Sequence, residues 1–328
     1  MPEKPVVVVL HDGLVPPEDA LRPVAEHAEI RLAEEGGLAD ALRGADVLFA
    51  YDFLSGAVPG AWHAADRLGW LHVAAAGVNK VMTPEVRGSD VVVTNSRGLY
   101  EEPIAEYVLT QILSFAKDVP GSLRLQRDHR WVHRESERIA GTRALVVGTG
   151  PIGRATARLL RAVGIEVTVS GRRARTGDPD LGDVTGPDEL HAALARADWV
   201  VAVAPLTDQT HGMFDAAAFD AMPAHARLVN VGRGELVRTD DLVAALRAGS
   251  IAGAALDVVD PEPLPPGHEL WDLEGVVVTP HNAGDFHGWR EALTDLFVDN
   301  YRRWTSGAEL RNVVDKELGY VPSPGSES

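Results

Sequence analysis

An apolar run from Arg143 to Val147 leads into Gly148-Thr149-Gly150-Pro151-Ile152-Gly153. A helical pattern from Arg154 to Val163 follows, with Ala155, Leu159, Leu160 and Val163 as its apolar positions. No other stretch constrains the fold as much. A strand that passes through a glycine turn directly into a helix opens a βαβ unit whose turn can lie against a pyrophosphate. The first glycine allows the tight turn, the second lets backbone approach the ligand, and the third lets helix pack on strand. Unpaired N–H groups and the helix dipole then face the anion. Gly148, Gly150, Pro151, Ile152 and Gly153 are therefore candidate dinucleotide contacts. Glycine turns alone are common, so the weight rests on the flanking strand and helix.

The rest of the chain repeats this alternation. Val6–Leu10, Ile30–Leu32, Val47–Tyr51, Leu71–Ala74 and Val91–Thr94 read as short buried strands, with helical segments at about 17–27, 38–43, 60–67 and 84–88 between them. Further strands are expected at 167–169, 199–203, 227–231, 253–256 and 276–279, again alternating with helices. Alternation of this kind predicts parallel sheets. The expected class is α/β, with two doubly wound domains and a cleft between them: a Rossmann-like cofactor domain and a flavodoxin-like substrate domain. The 328 residues suit two domains at about 100–200 residues each. Residues 98–285 are assigned to the dinucleotide-binding domain. Residues 1–97 and 286–328 form a discontinuous substrate-binding domain, because a final helix from about Asp285 to Ser306 is expected to cross back. Pro103 suits the first turn of a long apolar helix, 104–119, expected at a domain or subunit interface. Residues 121–141 are charged and read as an extended, solvated arm carrying Trp131. The Pro/Ser/Gly-rich tail from Pro322 reads as disordered.

Composition narrows the chemistry. With no cysteine, thiol nucleophiles, disulfides and cysteine-bound metals are excluded, and no metal site is expected. Neither a secretion signal nor an apolar run near the roughly 20 residues of a membrane span is present, which together point to the cytoplasm. The net charge of −17 argues against nucleic acid and anionic membranes as partners. It would also repel an anionic substrate, so a pocket for one must carry its own cations.

Such cations are at hand. An acid is expected about 20 residues after the fingerprint, to take the ribose 2′-hydroxyl of NAD. Gly171 stands there, followed by Arg172 and Arg173. Loss of the carboxylate and gain of two guanidiniums favour a 2′-phosphate, hence NADP(H) over NAD(H); the plain alternative is a solvated basic turn. Arg233 in Val231-Gly232-Arg233-Gly234 and His281 in Pro280-His281-Asn282-Ala283-Gly284 both follow strand ends, where α/β sheets place their sites. Glu262 lies in Asp260-Pro261-Glu262-Pro263. Each alone reads as readily as a surface arginine, a loop glutamate or a capping histidine.

Together, in this order, they resemble the D-2-hydroxyacid dehydrogenase family. The matching pieces are Gly148–Gly153, Pro205-Leu206-Thr207, Asn230–Gly234, Asp257 with Pro261-Glu262-Pro263, and Pro280–Gly284. Gly77-Val78-Asn79, Val93-Thr94-Asn95 and Asn312–Asp315 extend the likeness over nearly the whole chain. The resemblance implies that His281 is the general acid in reduction, oriented by Glu262, and that Arg233 binds the substrate carboxylate. Backbone N–H groups at Ala76 and Gly77 would take the carboxylate's other face. Asp257 would hold the nicotinamide carboxamide, and Pro205, Val231 and Gly284 would complete the cofactor site. It also implies a D-hydroxy acid product and a homodimer paired through the 104–131 region. The chemistry is coherent, since a carbonyl that receives hydride needs a proton and nearby positive charge, and a carboxylate beside imidazole favours its charged form.

Departures from the family pattern sharpen this reading. Asn79 stands where many members have aspartate. Glutamate at 262 argues against formate oxidation, where glutamine stands. Ala74-Ala75-Ala76-Gly77 lacks the lysine of phosphite oxidisers, and nothing after residue 315 has room for a regulatory domain. The favoured function is reduction of glyoxylate, hydroxypyruvate or a similar small 2-keto acid. Its rivals are a short NAD-dependent 3-phosphoglycerate dehydrogenase and, from another class, a dinucleotide-sensing binding protein. A phosphorylated substrate would need a second cationic cluster, and the 51–56 and 74–80 loops offer only Lys80.

Overall fold

The computed structural model describes residues 4–322. The chain divides into two compact units, one running to Tyr100 and resuming at Phe286, the other spanning Glu101–Asp285. Beyond Pro322, the tail expected to be disordered lies outside the described residues.

The first unit alternates β1 (Val6–Leu10), α1 (Glu18–Ala25), β2 (Glu29–Ala33), α2 (Leu38–Leu42), β3 (Val47–Ala50), α3 (Ala57–Ala61), β4 (Trp70–Val73), α4 (Pro84–Arg87) and β5 (Val92–Asn95). Its strands, all parallel, lie in the order β2-β1-β3-β4-β5. β1 and β3 are buried along their whole length, which is why they read as unbroken apolar runs rather than as alternating ones. The helix expected at 60–67 instead starts at Ala57 and tightens into a 3₁₀ turn at Trp62–Ala64.

The second unit comprises α5 (Glu101–Ala116), α6 (Val119–Arg127), β6 (Arg143–Val147), α7 (Pro151–Ala162), β7 (Glu166–Ser170), β8 (Arg175–Asp178), β9 (Gly182–Thr185), α8 (Leu190–Leu194), β10 (Trp199–Ala202), α9 (Ala216–Ala221), β11 (Arg227–Asn230), α10 (Thr239–Ala248), β12 (Gly253–Leu256) and β13 (Val276–Val278). Its sheet has the order β13-β12-β11-β10-β6-β7-β9-β8, parallel throughout except for the β8–β9 pair. Among the described residues, then, both sheets are doubly wound.

Two elements here differ from expectation. The charged stretch after α5 begins with a helix, α6, because Asp118 caps it: its Oδ1 accepts from Gly121 N at 3.1 Å, and a proline stands in the first turn. β8 and β9 form a polar edge hairpin. Arg154 reaches it with a bidentate pair to Asp178, both contacts at 2.7 Å, and Arg175 adds a second pair to the same carboxylate. These arginines hold Asp178 far below the usual carboxylate range.

After Asp285 the chain rejoins the first unit as α11 (Trp289–Ser306). Phe297 from α11 stacks on Phe49 at 4.1 Å and on Trp70 at 5.2 Å. The terminal segment then pairs with β5, where Val314 N donates to Val93 O at 2.8 Å.

Fully buried among these aromatics is His72. Trp70 Nε1 donates to Thr94 Oγ1 at 2.8 Å, and Thr94 Oγ1 lies 2.7 Å from His72 Nδ1. Because indole can only donate, the threonine hydroxyl hydrogen is available for Nδ1, which suits a neutral ring protonated on Nε2. Burial drives the His72 pKa down to about 3. The unfolded chain therefore binds a proton between pH 6.5 and 3 that the folded chain refuses. Stability from this group is complete above pH 6.5 and is lost as pH falls towards 3, by up to about 1.4 kcal/mol per pH unit. Urea unfolding of wild type and His72→Gln between pH 7 and 4.5 checks this: the variant should lose about one proton's worth of the slope. Equal slopes would mean that His72 is not a neutral core residue.

Candidate active site

The fingerprint turn matches the needs of a dinucleotide. Gly148 has φ +134°, a conformation that residues with a Cβ rarely adopt, and a Cβ there would sit 2.7 Å from Val203 O. A Cβ on Gly153 would meet Gly148 O at 2.1 Å, so the start of α7 packs directly on the turn. Gly150, by contrast, faces open space, where a ligand can approach the backbone. It also precedes Pro151 at the helix N-terminus, so the unpaired N–H groups of α7 are presented beside that space. The residues present thus fit a bound pyrophosphate.

At the end of the next strand, β7, Gly171 is crowded. A Cβ would lie 2.6 Å from Thr149 Cγ2 and 3.2 Å from Val184 Cγ1. A side chain here would require the Thr149 side chain to move. Arg172 and Arg173 follow, both exposed, and neither makes an ion pair or hydrogen bond with another described residue. Their neighbours Arg154 and Arg175 are instead spent on Asp178.

The remaining site residues follow the carboxyl ends of adjacent strands. After β10 comes the Pro205 turn, tied by Thr210 Oγ1 donating to Pro205 O at 2.7 Å. After β11, buried Asn230 clasps the next turn: its Nδ2 donates to Arg233 O at 2.9 Å, and its Oδ1 accepts from Gly232 N at 3.1 Å. Buried Val231 lies within this turn. Burial pulls the Arg233 guanidinium below its ordinary pKa, while the carboxylates of Glu262 and Glu235 pull it back. Arg233 Nη1 donates to Gly232 O at 2.7 Å.

His281 follows β13. Its Nδ1 lies 2.8 Å from Glu262 Oε1. Its backbone is left-handed, φ +55°, an unfavourable conformation for histidine. Two bonds hold it there, from His281 N to Asp257 O at 2.8 Å and to Thr279 O at 3.0 Å. The structure thus joins Glu262 directly to His281 and brings the Glu262 charge to bear on Arg233.

Asp257, at the end of β12, is buried and already engaged. Its Oδ1 accepts from Thr279 Oγ1 at 2.6 Å and from Asn282 N at 3.0 Å, and its Oδ2 accepts from Ala283 N at 2.9 Å. It therefore fastens the loop that carries His281 and leads to Gly284. Two residues that sequence reasoning passed over belong to this array, Thr279 and Tyr107 of α5, whose hydroxyls lie 2.5 Å apart. The available signals were a tyrosine on an apolar helix and a hydroxyl two positions before the histidine.

In the first unit, Ala76 and Gly77 lie on the loop after β4. Asn95 Nδ2 donates to Ala76 O at 2.5 Å and Ser96 N donates to Ala75 O at 2.9 Å. Lys80 Nζ donates to Leu54 O at 2.6 Å. Among the described residues no group of side chains could hold a metal ion, and no helix is long and apolar enough to cross a membrane.

Residues 109–283 match the model of the D-isomer specific 2-hydroxyacid dehydrogenase NAD-binding domain. An uncharacterised protein from Corynebacterium melassecola is 32% identical over 82% of this chain and 89% of its own length. A glyoxylate reductase from Thermococcus onnurineus is 29% identical over 95% of this chain and 97% of its own. The NADPH-dependent glyoxylate/hydroxypyruvate reductase of Sinorhizobium meliloti, solved with NADP and sulfate, superposes with a TM-score of 0.82. It is 28% identical over 97% of this chain and 100% of its own. With the fingerprint turn, both doubly wound sheets and the domain model in agreement, this chain belongs to the D-isomer specific 2-hydroxyacid dehydrogenase family and is an NAD(P)-dependent oxidoreductase.

Proposed function

We propose that the protein reduces a small 2-keto acid of the glyoxylate or hydroxypyruvate type to the D-2-hydroxy acid, with NADPH preferred to NADH. The observation that carries this reading is the 2.8 Å contact of His281 with Glu262, beside an Arg233 that feels the same carboxylate. Nδ1 of His281 is committed to Glu262, so the proton given to the substrate oxygen is the one on Nε2. Glu262 stabilises the imidazolium until that transfer and fixes the ring's orientation. Arg233 binds the substrate carboxylate and counters negative charge growing on the keto oxygen. Gly148, Gly150 and Gly153 receive the pyrophosphate, and Arg172 and Arg173 the 2′-phosphate. Asp257 keeps lone-pair capacity on Oδ2 for the nicotinamide carboxamide. When bound, the cofactor supplies the hydride.

Substrate size follows from where the cations are. Lys80 is engaged by Leu54 O, and Arg290 lies over the Trp289 ring at 5.2 Å. Neither is poised for a second anionic group. Reductases similar to this chain act on glyoxylate and hydroxypyruvate. In a panel of keto acids run with both cofactors, one of the small acids should exceed 3-phosphohydroxypyruvate in kcat/KM by at least about tenfold, or 1.4 kcal/mol. A higher kcat/KM for the phosphorylated acid would replace this reading with phosphoglycerate chemistry. Tight cofactor binding with no turnover would replace it with a sensor.

The proposed assembly is a homodimer. Trp131 is fully exposed, and Leu113, Val119, Leu123 and Val132 add further exposed apolar surface on α5, α6 and the following arm. Light scattering should give about twice the mass of one 35.1 kDa chain; a single-chain mass at micromolar concentration contradicts it.

A further inference from the structure

We propose that Tyr107 is a positioning residue for His281, acting through Thr279 and Asp257. The proposal rests on the reading of His281 as the general acid, and it names what holds that acid in place.

Bond directions in the array follow from chemistry. The Asp257 carboxylate can only accept, so Thr279 Oγ1–H must donate to its Oδ1, 2.6 Å away. The Thr279 oxygen is then an acceptor, and the Tyr107 hydroxyl 2.5 Å away must be the donor. Gln111, one turn further along α5, is buried on the same helix. The result is a directed chain from Tyr107 to Thr279 to the Asp257 carboxylate, a polarised series that ends on a charge. Burial, aided by the Asp257 charge, pushes the Tyr107 pKa up to about 12, so the phenol keeps its hydrogen at any working pH.

This chain acts on the backbone of the acid. Asp257 holds Asn282 N and Ala283 N through its side chain and His281 N through its carbonyl. Three successive N–H groups around the imidazole are thus held by Asp257, the first of them shared with Thr279 O. The left-handed His281 backbone would relax if that grip loosened, and a shift of about 1 Å in an acid can cost up to 10²-fold in rate. Packing alone does not explain the Tyr107 hydroxyl. Its helix buries the apolar Ile104, Val108, Ile112 and Ala116 at neighbouring positions, and phenylalanine would fill the same space among them.

The test uses Tyr107→Phe, Thr279→Val, Thr279→Ser and the Tyr107→Phe/Thr279→Val double variant, assayed as full-length enzyme. Tyr107→Phe and Thr279→Val should each lower kcat for keto-acid reduction by about tenfold. KM and NADPH affinity should stay within about twofold, and thermal midpoints close to wild type. Thr279→Ser keeps the hydroxyl and should restore most of the rate. The double variant should be no slower than Thr279→Val alone, because both break the same chain. Unchanged kcat in Tyr107→Phe, losses that multiply in the double variant, or failure of serine to rescue would each overturn the proposal. An inactive His281→Asn beside a fully active Tyr107→Phe would sink the positioning role alone. An active His281→Asn would instead remove the reading beneath it.

Discussion

His281→Asn should lower kcat for keto-acid reduction by roughly 10²–10⁴-fold, the usual worth of a positioned general acid. Asparagine is smaller than histidine and has no group at the position Nε2 occupies, so it delivers no proton there. Cofactor affinity should hardly change, because the fingerprint turn and α7 are built without residue 281. The partner variant separates orientation from charge. Glu262→Gln can still hydrogen-bond to Nδ1, yet it lacks the negative charge that stabilises the imidazolium. Glu262→Gln should therefore lower kcat, though less than His281→Asn does, with little change in cofactor affinity. A wild-type kcat in Glu262→Gln would show that the 2.8 Å contact does not govern the acid.

Replacing Arg172 and Arg173 together by neutral residues should weaken NADPH binding by about 100-fold or more and leave NADH within a few-fold. Charge-assisted hydrogen bonds are worth about 1.5–3 kcal/mol each, and every 1.4 kcal/mol is tenfold in Kd. The arginines of this region fall into two contrasting pairs. Arg154 and Arg175 are neutralised by Asp178, whereas Arg172 and Arg173 are exposed without a partner among the described residues. The proposed 2′-phosphate would give these two guanidiniums a partner. Gly171 is in keeping with this, since it supplies no acid where one would favour NADH and a side chain there would press on Thr149. Titration of both cofactors into wild type and the double variant decides the matter. Equal losses for NADPH and NADH would assign the pair to general electrostatics rather than to the 2′-phosphate.

The sheets were legible in the sequence because strands buried on both faces must be apolar along their length, as in Val6–Leu10 and Val47–Ala50 and, after its exposed Arg143, in the rest of β6. The β8–β9 hairpin was not. Its residues are polar and largely exposed, and it is held by Arg154 reaching across from α7, a tertiary relation that no local period records. α6 was overlooked for a different reason: an Asp118 cap and an early proline were present, but the charge around Trp131 outweighed them. At the candidate site, strand ends drew attention to Arg233 and His281, but it was the family resemblance that joined them with Glu262. What they could not express is dependence. That Asp257 fastens the His281 loop, and that Tyr107 stands 172 positions before the threonine it contacts, follows from packing alone.

The most direct measurement supplies hydroxypyruvate and NADPH to the purified protein and resolves the product by chiral chromatography. The proposed function requires D-glycerate, formed in equal amount to the NADPH oxidised and lost with His281→Asn. L-glycerate, or NADPH consumption that persists at the wild-type rate in His281→Asn, would contradict it.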